Sequence, residues 1–218
     1  MLVASDAYGV DDIAGEQFVF EIAHDEMGME TTVASDITKL YGLTRRTRTA
    51  AINASILPKM LNTANSTEES VRKAGVEVPL MIMRGDGGVM EINEMKKRPV
   101  LTMLSGPAAS VMGSLMYLRA SNGVYFEVGG TTTNIGVIKN GRPAIDYSVV
   151  GGHRTYISSL DVRVLGVAGG SMIRVNKSGV HDVGPRSAHI AGLDYAVFTD
   201  EEEIVEPRLE FFSPKEGD

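Results

Sequence analysis

The chain has 218 residues, a formal net charge of −7 and no cysteine. That length is enough for one large domain or two small lobes around a buried core. The acidic balance argues against a nucleic-acid partner, and the lack of cysteine excludes a disulfide scaffold, a thiolate zinc site and a cysteine nucleophile. No apolar run approaches the roughly 20 residues that span a bilayer, and the first residues show no signal-peptide pattern, so we expect a cytoplasmic protein with no membrane partner.

The first half of the chain predicts alternating strands and helices from the spacing of its apolar residues. The expected elements are a strand at 2–5, a helix at 12–28, a strand at 31–34, a long helix from about 45, and a strand at 78–83. Pro58 lies inside the long helix, so we expect a kink or a join between two helices there. Ser66 or Thr67, followed by two glutamates, predicts a new helix that ends at Gly75.

Two clusters in this half predict how residues are buried. The basic cluster of Arg45, Arg46 and Arg48 indicates a solvated helix face or terminus rather than a binding patch. The methionines between residues 81 and 116 indicate a core filled with flexible thioether side chains.

The second half predicts one further helix and then mainly strands. Ser105 can cap that helix and Pro107 suits its first turn. The expected strands are at 124–128, 132–139, 142–150, 162–167 and 172–175. Asn140 and Gly141 tolerate the positive φ of a two-residue hairpin turn, so we expect the strand at 142–150 to return alongside the strand at 132–139.

Glycine is the compositional outlier, since 24 of the 218 residues are glycine, well above the usual level of about 7%. Many glycines occur as adjacent pairs, at 87–88, 129–130, 151–152 and 169–170. Paired glycines indicate tight turns or a backbone that approaches another group closely, and phosphate is one candidate for that group.

The segment from Phe126 to Asn134 carries the strongest chemical signal. A predicted strand contains the acidic Glu127 near its end, and the chain then reverses through Gly129-Gly130 before three threonines lead into the next strand. Backbone N–H groups and threonine hydroxyls in such a turn suit phosphate oxygens, and an acid at a strand end can hold magnesium through water. The spacing alone also fits an ordinary Gly-Gly hairpin of an antiparallel sheet.

The segment resembles the Asp-x-Gly-Gly-Thr-x-Thr phosphate loop of the actin, chaperone and sugar-kinase superfamily, and its surroundings resemble the hydantoinase/oxoprolinase family. The motifs that carry the second resemblance are Met83-Arg84-Gly85-Asp86-Gly87-Gly88-Val89-Met90, Leu104-Ser105-Gly106-Pro107-Ala108-Ala109, Val150-Gly151-Gly152, Asp161-Val162, Gly166-Val167-Ala168-Gly169-Gly170-Ser171 and Val183-Gly184-Pro185-Arg186-Ser187-Ala188. Each motif is weak alone, but they occur in the family's order and cover the chain from Leu2 to about Ala188.

The resemblance implies an α/β, ribonuclease H-like or actin-like ATPase fold, a mixed sheet with flanking helices that is incomplete at both ends. Residues 1–98 would be a segment of the first lobe and residues 99–218 the lobe with the phosphate loop, with ATP and Mg²⁺ in the cleft between lobes. In the family, ATP activates a cyclic amide or a carbonyl compound, such as 5-oxoproline, N-methylhydantoin or acetone. Phosphorylation of an amide oxygen makes the ring carbon electrophilic enough for water to open the ring.

The resemblance also implies roles for single residues. Glu127 is implied as a catalytic group and as the magnesium ligand, and Asp161 as a second catalytic group that lines the same cleft. The residues implied to bind the cofactor are Gly129, Gly130, Thr131, Thr132, Thr133, Gly169, Gly170 and Ser171.

Three features depart from the family's pattern. The family's N-terminal glycine-threonine loop is missing, so the chain resembles an internal piece of a longer enzyme and we expect it to be inactive alone. Glu127 and Asn134 stand where the family usually has aspartate, so Asn134 cannot act as a base and the expected magnesium site is weakened. Arg163 stands where the family often has histidine. Of the four histidines, His153 is the candidate nearest a glycine pair, and an ordinary loop histidine is the simpler interpretation.

Two functional hypotheses remain open. The first is an ATP-dependent hydrolase that opens cyclic amides, or a related carboxylase subunit, with a second subunit or a homo-oligomer as its assembly. The second is a non-enzymatic actin-like module whose nucleotide switches its shape and whose target is a protein. Glu127 and Asn134 lean slightly toward the second hypothesis, because reduced hydrolysis still permits nucleotide-gated closure, whereas the ordered family motifs favour the first.

Overall fold

The computed structural model of the chain describes residues 1–119 and 121–206. In chain order the first elements are β1 (Leu2–Ala4), α1 (Ala14–Glu21), a π-helical turn (Ile22–Glu26), β2 (Thr31–Val33), α2 (Ala34–Ile37), α3 (Leu43–Lys73), β3 (Met81–Met83), β4 (Val89–Glu91), α4 (Ile92–Lys97), a 3-10 turn (Pro99–Thr102) and α5 (Ser105–Leu118). They are followed by β5 (Gly123–Val128), β6 (Thr133–Lys139), β7 (Arg142–Pro143), β8 (Ile145–Val150), β9 (His153–Leu160), β10 (Val162–Leu165), β11 (Ser171–Asn176), β12 (Gly179–Ser187), α6 (Ala188–Ala191) and two 3-10 turns (Ala196–Phe198 and Glu201–Glu203). The chain is therefore a mixed α/β protein.

The contacts between residues divide the chain into two compact units. The first unit contains residues 1–123 and 138–161, and the second contains residues 124–137 and the chain from residue 162 onward. The lobes expected at 1–98 and 99–218 describe a longer enzyme and stay a prediction, and the second of them extends beyond the described residues.

The first unit is organised around α3. β1 and β2 pair in parallel, with Leu2 opposite Thr31 and Ala4 opposite Val33, and α3 contacts both strands as well as α2, α4 and β9. The buried side chains of α3 recur at helical spacing on one face, as expected for a helix packed along one side. They are Arg46, Thr49, Ala50, Asn53, Ala54, Leu57 and Ala64.

The prediction of a join between two helices is wrong, whereas the alternative of a kink at Pro58 stays a prediction. α3 runs without a break from Leu43 to Lys73, through Pro58 and past Ser66 and Thr67. Proline removes one helical hydrogen bond, but tertiary packing of the buried face supplies most of a helix's stability and outweighs that loss. Ser66 therefore acts as an interior residue, and the helix ends beside Gly75, which has the positive φ of +81° expected at that position.

Arg46 corrects the prediction of a solvated basic face. Its guanidinium is fully buried and its Nη2 lies 2.8 Å from Oε1 of the equally buried Glu16. The guanidinium also donates hydrogen bonds to the carbonyl oxygens of Asp6, Gly9, Thr38 and Leu40. An arginine inside a protein is stable only when its donors are satisfied in this way.

Glu16 completes the buried pair from its own side. Its Oε1 accepts a hydrogen bond from the Asp6 amide at 2.6 Å, and its Oε2 accepts one from the Ser35 amide at 2.8 Å. Burial raises the pKa of this carboxyl, but the hydrogen bonds from Asp6, Arg46 and Ser35 together lower it by more. The pKa of Glu16 therefore lies below its ordinary value. The pair therefore holds α1, α2 and α3 together as an ionised unit.

The remaining elements of the first unit include two hairpins. β3 pairs with β4 and β8 pairs with β9, both antiparallel. Met90 and Met95 lie in the hydrophobic core, as predicted, whereas Met81 and Met116 are 56% and 77% exposed. α5 begins after Leu104, whose φ is +60°, so Ser105 is the first helical residue and not the predicted cap.

The hairpin turn at Asn140 and Gly141 is confirmed, since their φ values are +52° and +70°. The predicted return strand at 142–150 is wrong beyond its first two residues. β7 pairs with β6, but β8 pairs with β9 instead. The division falls at Ala144, directly after Pro143, which has no N–H to donate to a strand ladder.

The second unit contains the expected cluster of short strands. β6 lies between β5 and β10, and it pairs with β10 in antiparallel register from Thr133–Leu165 to Gly136–Val162. β11 and β12 form a separate antiparallel pair that leads into α6. Across both units, every helix in the described part of the chain is too short or too polar to cross a membrane.

We expect Glu16→Gln to lower the free energy of unfolding by about 3 kcal/mol at neutral pH, because it leaves a buried guanidinium without its counter-charge. The pKa of Glu16 is lowered in the folded state, so the wild type loses this contribution as the pH falls through that folded pKa. The stability difference between variant and wild type should therefore shrink in acid. Urea unfolding followed by circular dichroism at several pH values measures it.

Glu21→Gln is the matched control for that prediction, since Glu21 is an exposed residue of the same helix. It should leave stability within about 0.5 kcal/mol of the wild type. Equal stability of Glu16→Gln and the wild type at neutral pH would show that the buried pair contributes nothing net.

Candidate phosphate-binding site

The predicted phosphate loop lies in the second unit between β5 and β6. β5 ends at Val128, and the chain turns through residues 129–132 before β6 begins at Thr133. The amide of Gly129 donates to the carbonyl of Thr132 at 3.0 Å, which closes the turn. The expected arrangement of strand, glycine turn and strand is therefore confirmed.

A second glycine segment lies directly against this turn. The amide of Gly169 donates to the carbonyl of Gly129 at 3.0 Å, and the amide of Gly170 donates to the carbonyl of Gly130 at 2.8 Å. The structure thus brings together two glycine pairs that are 40 residues apart in the sequence. Their role in holding phosphate stays a prediction.

The close approach explains why glycine is required at position 170. A Cβ atom there would lie 2.7 Å from the carbonyl oxygen of Gly130 and 2.4 Å from the hydroxyl of Tyr195. A backbone oxygen cannot move aside as the end of a side chain can, so a side chain would separate the two segments. At Gly130 a Cβ would meet nothing within 4 Å.

The turn keeps several hydrogen-bond donors available. Within the described residues, the amides of Gly130, Thr131 and Thr132 and the hydroxyls of the two threonines donate to no protein acceptor. Successive backbone N–H groups in a turn form the type of concavity that binds anions. This donor set fits the oxygen atoms of a phosphate group.

The hydroxyls of Thr133 and Ser171 are used differently. Thr133 Oγ1 donates to the carbonyl of Val167 at 2.5 Å, and Ser171 Oγ accepts from the amide of Ala168 at 2.8 Å. Both contacts brace the second glycine segment. These two predicted binding residues therefore hold the site's backbone in the present structure.

Glu127 is held by two neighbours on the sheet. Its Oε2 accepts a hydrogen bond from the Tyr125 hydroxyl at 3.0 Å and from Nδ2 of Asn134 at 3.1 Å. Sequence reasoning missed Tyr125, although residues two apart on a strand share a face and alternation could have indicated it. Asn134 thus holds the Glu127 carboxylate by a hydrogen bond. A carboxylate at position 134 would instead repel Glu127.

Asn134 also supplies the clearest test of whether the site fits magnesium and ATP. Its side chain is 9% exposed, and its buried Oδ1 has no hydrogen-bond partner in the described part of the chain. No group of three or more histidine or acidic side chains that could hold a metal lies within the described residues. The arrangement fits Mg²⁺ bound mainly by phosphates and waters, with a single carboxylate and a buried acceptor nearby.

Asp161 and His153 belong to the first unit. Asp161 is an exposed residue between β9 and β10, and its amide donates to the carbonyl of Ala144 at 2.8 Å. His153 is the exposed first residue of β9. The catalytic role of Asp161 stays a prediction, as do those of the other site residues.

The sequence profile described as hydantoinase/oxoprolinase matches residues 46–200, which is most of the chain. The chain belongs to the hydantoinase/oxoprolinase family, as the ordered motifs predict.

Curated relatives include subunits of two larger enzymes. The chain is 29% identical over 192 residues to the acetophenone carboxylase gamma subunit of Aromatoleum aromaticum, covering 80% of this chain and 25% of that subunit. It is 29% identical over 147 residues to the caprolactamase subunit alpha of Pseudomonas jessenii, covering 66% of this chain and 21% of that subunit. The chain therefore spans about a quarter of the length of these relatives.

Two solved structures have a similar fold. Nucleotide-free acetone carboxylase, from work on ATP-dependent acetone carboxylation, matches with a TM-score of 0.68 and 21% identity over 85% of this chain and 27% of that chain. The ATP-dependent caprolactamase of Pseudomonas jessenii matches with a TM-score of 0.68 and 24% identity over 86% of this chain and 28% of that chain. At these identities the likeness establishes the fold alone.

We expect Gly170→Ala to disrupt the paired glycine segments, because its Cβ would meet the Gly130 carbonyl. The cost should be about 1–3 kcal/mol, as for other overpacked positions. Amide hydrogen exchange should show faster exchange at Gly169 and residue 170 than in the wild type. The matched control is Gly130→Ala, which meets nothing within 4 Å and should exchange like the wild type. Unchanged protection in Gly170→Ala would mean that the close approach imposes no constraint.

Proposed function

We propose that the chain is the phosphate-holding part of an ATP-dependent hydrolase that opens cyclic amides. The observation that carries the proposal is the contact between the two glycine pairs. The amides of Gly169 and Gly170 donate hydrogen bonds to the carbonyls of Gly129 and Gly130. The amides of residues 130–132 donate to no acceptor in the described part of the chain, so they are available to a ligand. Ring opening needs an activated amide oxygen, and a rigid cradle of donors supports phosphoryl transfer by positioning phosphate.

We also propose that the fold is of the ribonuclease H-like, actin-like ATPase type. The sequence of strand, glycine turn and strand around residues 126–139 supports this assignment. The structural matches support it too, since both similar enzymes are named as ATP-dependent. A fold of this type would bind nucleotide between two lobes, and the described chain would contribute one wall of that site.

The chemistry divides between nucleotide and protein. ATP, when bound, supplies the phosphoryl group that activates the substrate oxygen. The amides of Gly130, Thr131 and Thr132 hold and orient phosphate oxygens. Glu127, kept in place by Tyr125 and Asn134, would hold Mg²⁺ through a bound water. Asn134 carries no charge, so it would position Glu127 and could not itself remove a proton.

A carboxylase subunit is the second candidate. The match to the acetophenone carboxylase gamma subunit covers more of this chain than the match to caprolactamase subunit alpha. Both relatives are named as subunits, which supports a partner subunit for either activity. The same phosphate cradle serves both reactions, because each needs ATP to activate a carbonyl oxygen, and the substrate pocket decides between them.

A nucleotide-gated module without turnover is the third candidate. The bond between Glu127 and Asn134 supports it, because it places a neutral amide where a proton acceptor would speed hydrolysis. The relatives support catalysis more strongly, since both structural matches are named for ATP-dependent enzymes. Direct measurements of binding and turnover distinguish these candidates.

We expect Mg-ADP to slow amide hydrogen exchange over residues 126–134 of this chain. The amides of Gly130, Thr131 and Thr132 should show the largest change, because they would acquire phosphate acceptors. The measurement compares peptides from the chain with and without saturating Mg-ADP. Peptides from α3 serve as the internal control and should not change.

In the complete protein, Thr132→Ala should lower ATP turnover about tenfold or more, as expected when one donor to a developing phosphate charge is lost. The variant Thr63→Ala, which removes an exposed hydroxyl of α3, is the matched control and should turn over ATP normally. ATP turnover by Thr132→Ala at the wild-type rate, together with no Mg-ADP protection in the complete protein, would refute the phosphate role.

Substrate dependence separates the three candidates. For a hydrolase, we expect ATP turnover by the complete protein to rise when 5-oxoproline, hydantoin or caprolactam is added. A carboxylase should respond to a ketone with bicarbonate, and a nucleotide-gated module should respond to neither. Coupled-enzyme detection of ADP measures all three, with an open-chain amide as the control for ring specificity.

A further inference from the structure

A cleft of about 570 Å³ lies in the first unit and is lined by residues between 17 and 98. The glycine pairs at 129–130 and 169–170 belong to the second unit. Its lining comes from α1 and the π-helical turn, the segment from β2 to Lys39, the middle of α3, and the end of α4. Ligand pockets typically measure roughly 300–1,000 Å³. The cleft is therefore large enough for a small molecule, and none of the roles described above uses it.

The α4 part of the lining carries excess positive charge. Lys97 and Arg98 share a single carboxylate, Glu94, at 3.2 and 2.6 Å. The hydrogen bond from Lys97 and the charges of both cations lower the pKa of Glu94, which therefore stays ionised and neutralises one of them. Arg98 also keeps a buried Nε donor that has no acceptor in the described part of the chain. This wall can accept one carboxylate.

The segment from β2 to Lys39 carries excess negative charge. Glu30, Asp36 and Lys39 all line the cleft, which gives two carboxylates and one ammonium group. None of the three forms an ion pair with another described residue. This part of the lining can accept one ammonium group.

Apolar side chains complete the lining. Val33, Ile37, Leu57 and Leu61 contribute aliphatic surface. Phe20 and His24 also line the cleft, and their rings are stacked with centroids 4.9 Å apart. His24 belongs to the π-helical turn, an irregularity that is frequent at functional sites.

We propose that this cleft binds a small zwitterion, an amino acid whose carboxylate and ammonium groups are joined by a short aliphatic chain. The carboxylate meets Lys97 and Arg98, the ammonium meets Asp36 and Glu30, and the chain lies on the aliphatic surface. A dianion would be repelled by the excess negative charge of the segment that carries Glu30 and Asp36, and a simple amine would leave the α4 cations without an anion. Only a ligand that carries both charges can form ion pairs with both parts of the lining.

Such a zwitterion is what the opening of a simple lactam such as caprolactam produces. The ring C–N bond breaks, the oxygen of water joins the carbonyl carbon, and the nitrogen takes up protons, which leaves a carboxylate and an ammonium on one chain. The cleft is then a product-binding site, and product that accumulates can regulate the activity of the enzyme by binding there. That interpretation rests on the proposed hydrolase function, whereas binding itself rests on the cleft alone.

The experiment titrates this chain with 6-aminohexanoate and follows backbone amide shifts by nuclear magnetic resonance. Saturable shifts are expected at residues 31–39 and 94–98. Hexanoate and hexylamine each lack one of the two charges, so each should bind about fivefold or more weakly, consistent with the loss of one charge-assisted contact. The comparison uses the wild-type chain and needs no variant.

Two substitutions that each remove one charge then locate the two charges. Lys97→Gln should weaken 6-aminohexanoate and hexanoate about fivefold and leave hexylamine unchanged. Asp36→Asn should weaken 6-aminohexanoate and hexylamine by a similar factor and leave hexanoate unchanged. The controls Lys59→Gln and Glu77→Gln change exposed charges that do not line the cleft, and they should bind all three ligands as the wild type does.

Three results would overturn the proposal: no saturable shift with 6-aminohexanoate, equal affinity for all three ligands, or equal loss of all three in both variants. The outcome is separate from the proposed hydrolase function. If the chain binds 6-aminohexanoate but the complete protein shows no lactam-dependent ATP turnover, the zwitterion site is supported and its role in product control is refuted. If lactam-dependent turnover is found without binding, the hydrolase function is supported and the zwitterion site is refuted.

Discussion

The first unit depends on one buried ion pair. Arg46 and Glu16 satisfy each other at 2.8 Å and together bind backbone groups before α1, at the start of α2 and after it. Neither charge could remain buried alone, since an unpaired ion in a protein interior costs several kcal/mol. The pair therefore fixes how α1, α2 and α3 meet. These three elements also supply part of the lining of the zwitterion cleft, so an interaction with no chemical role helps to set the shape of a binding site.

The second unit relies on the absence of side chains rather than on charge. Gly169 and Gly170 reach the carbonyls of the phosphate turn only because no Cβ intervenes at residue 170. The contact takes up carbonyl acceptors and leaves amide donors, which makes the turn electropositive. Thr133 and Ser171 brace the same backbone through their hydroxyls. Under the proposed function this rigidity matters, because phosphoryl transfer is catalysed mainly by positioning.

The sequence was sufficient for features that depend on local chemistry. The glycine pair at 129–130 predicted a turn between two strands, and Asn140-Gly141 predicted a hairpin turn because both of these residue types tolerate positive φ. Features decided by tertiary packing were missed. Arg46 looked like part of a solvated face because its partner Glu16 lies 30 residues away. α3 continued through Pro58 because its buried face outweighs one lost hydrogen bond. Tyr125 and Asn134 around Glu127 needed the sheet pairing.

Glu127 and Asn134, which stand where the family usually has aspartate, share one structural explanation. A glutamate reaches one methylene further than an aspartate, and here its carboxylate meets the amide of Asn134 across the sheet. An aspartate at 134 would place two negative charges about 3 Å apart and would need a cation between them. The asparagine removes that need, so no cation is required to keep the two side chains together. Under the proposed function, this arrangement favours the binding of phosphate, because Asn134 cannot itself take up a proton.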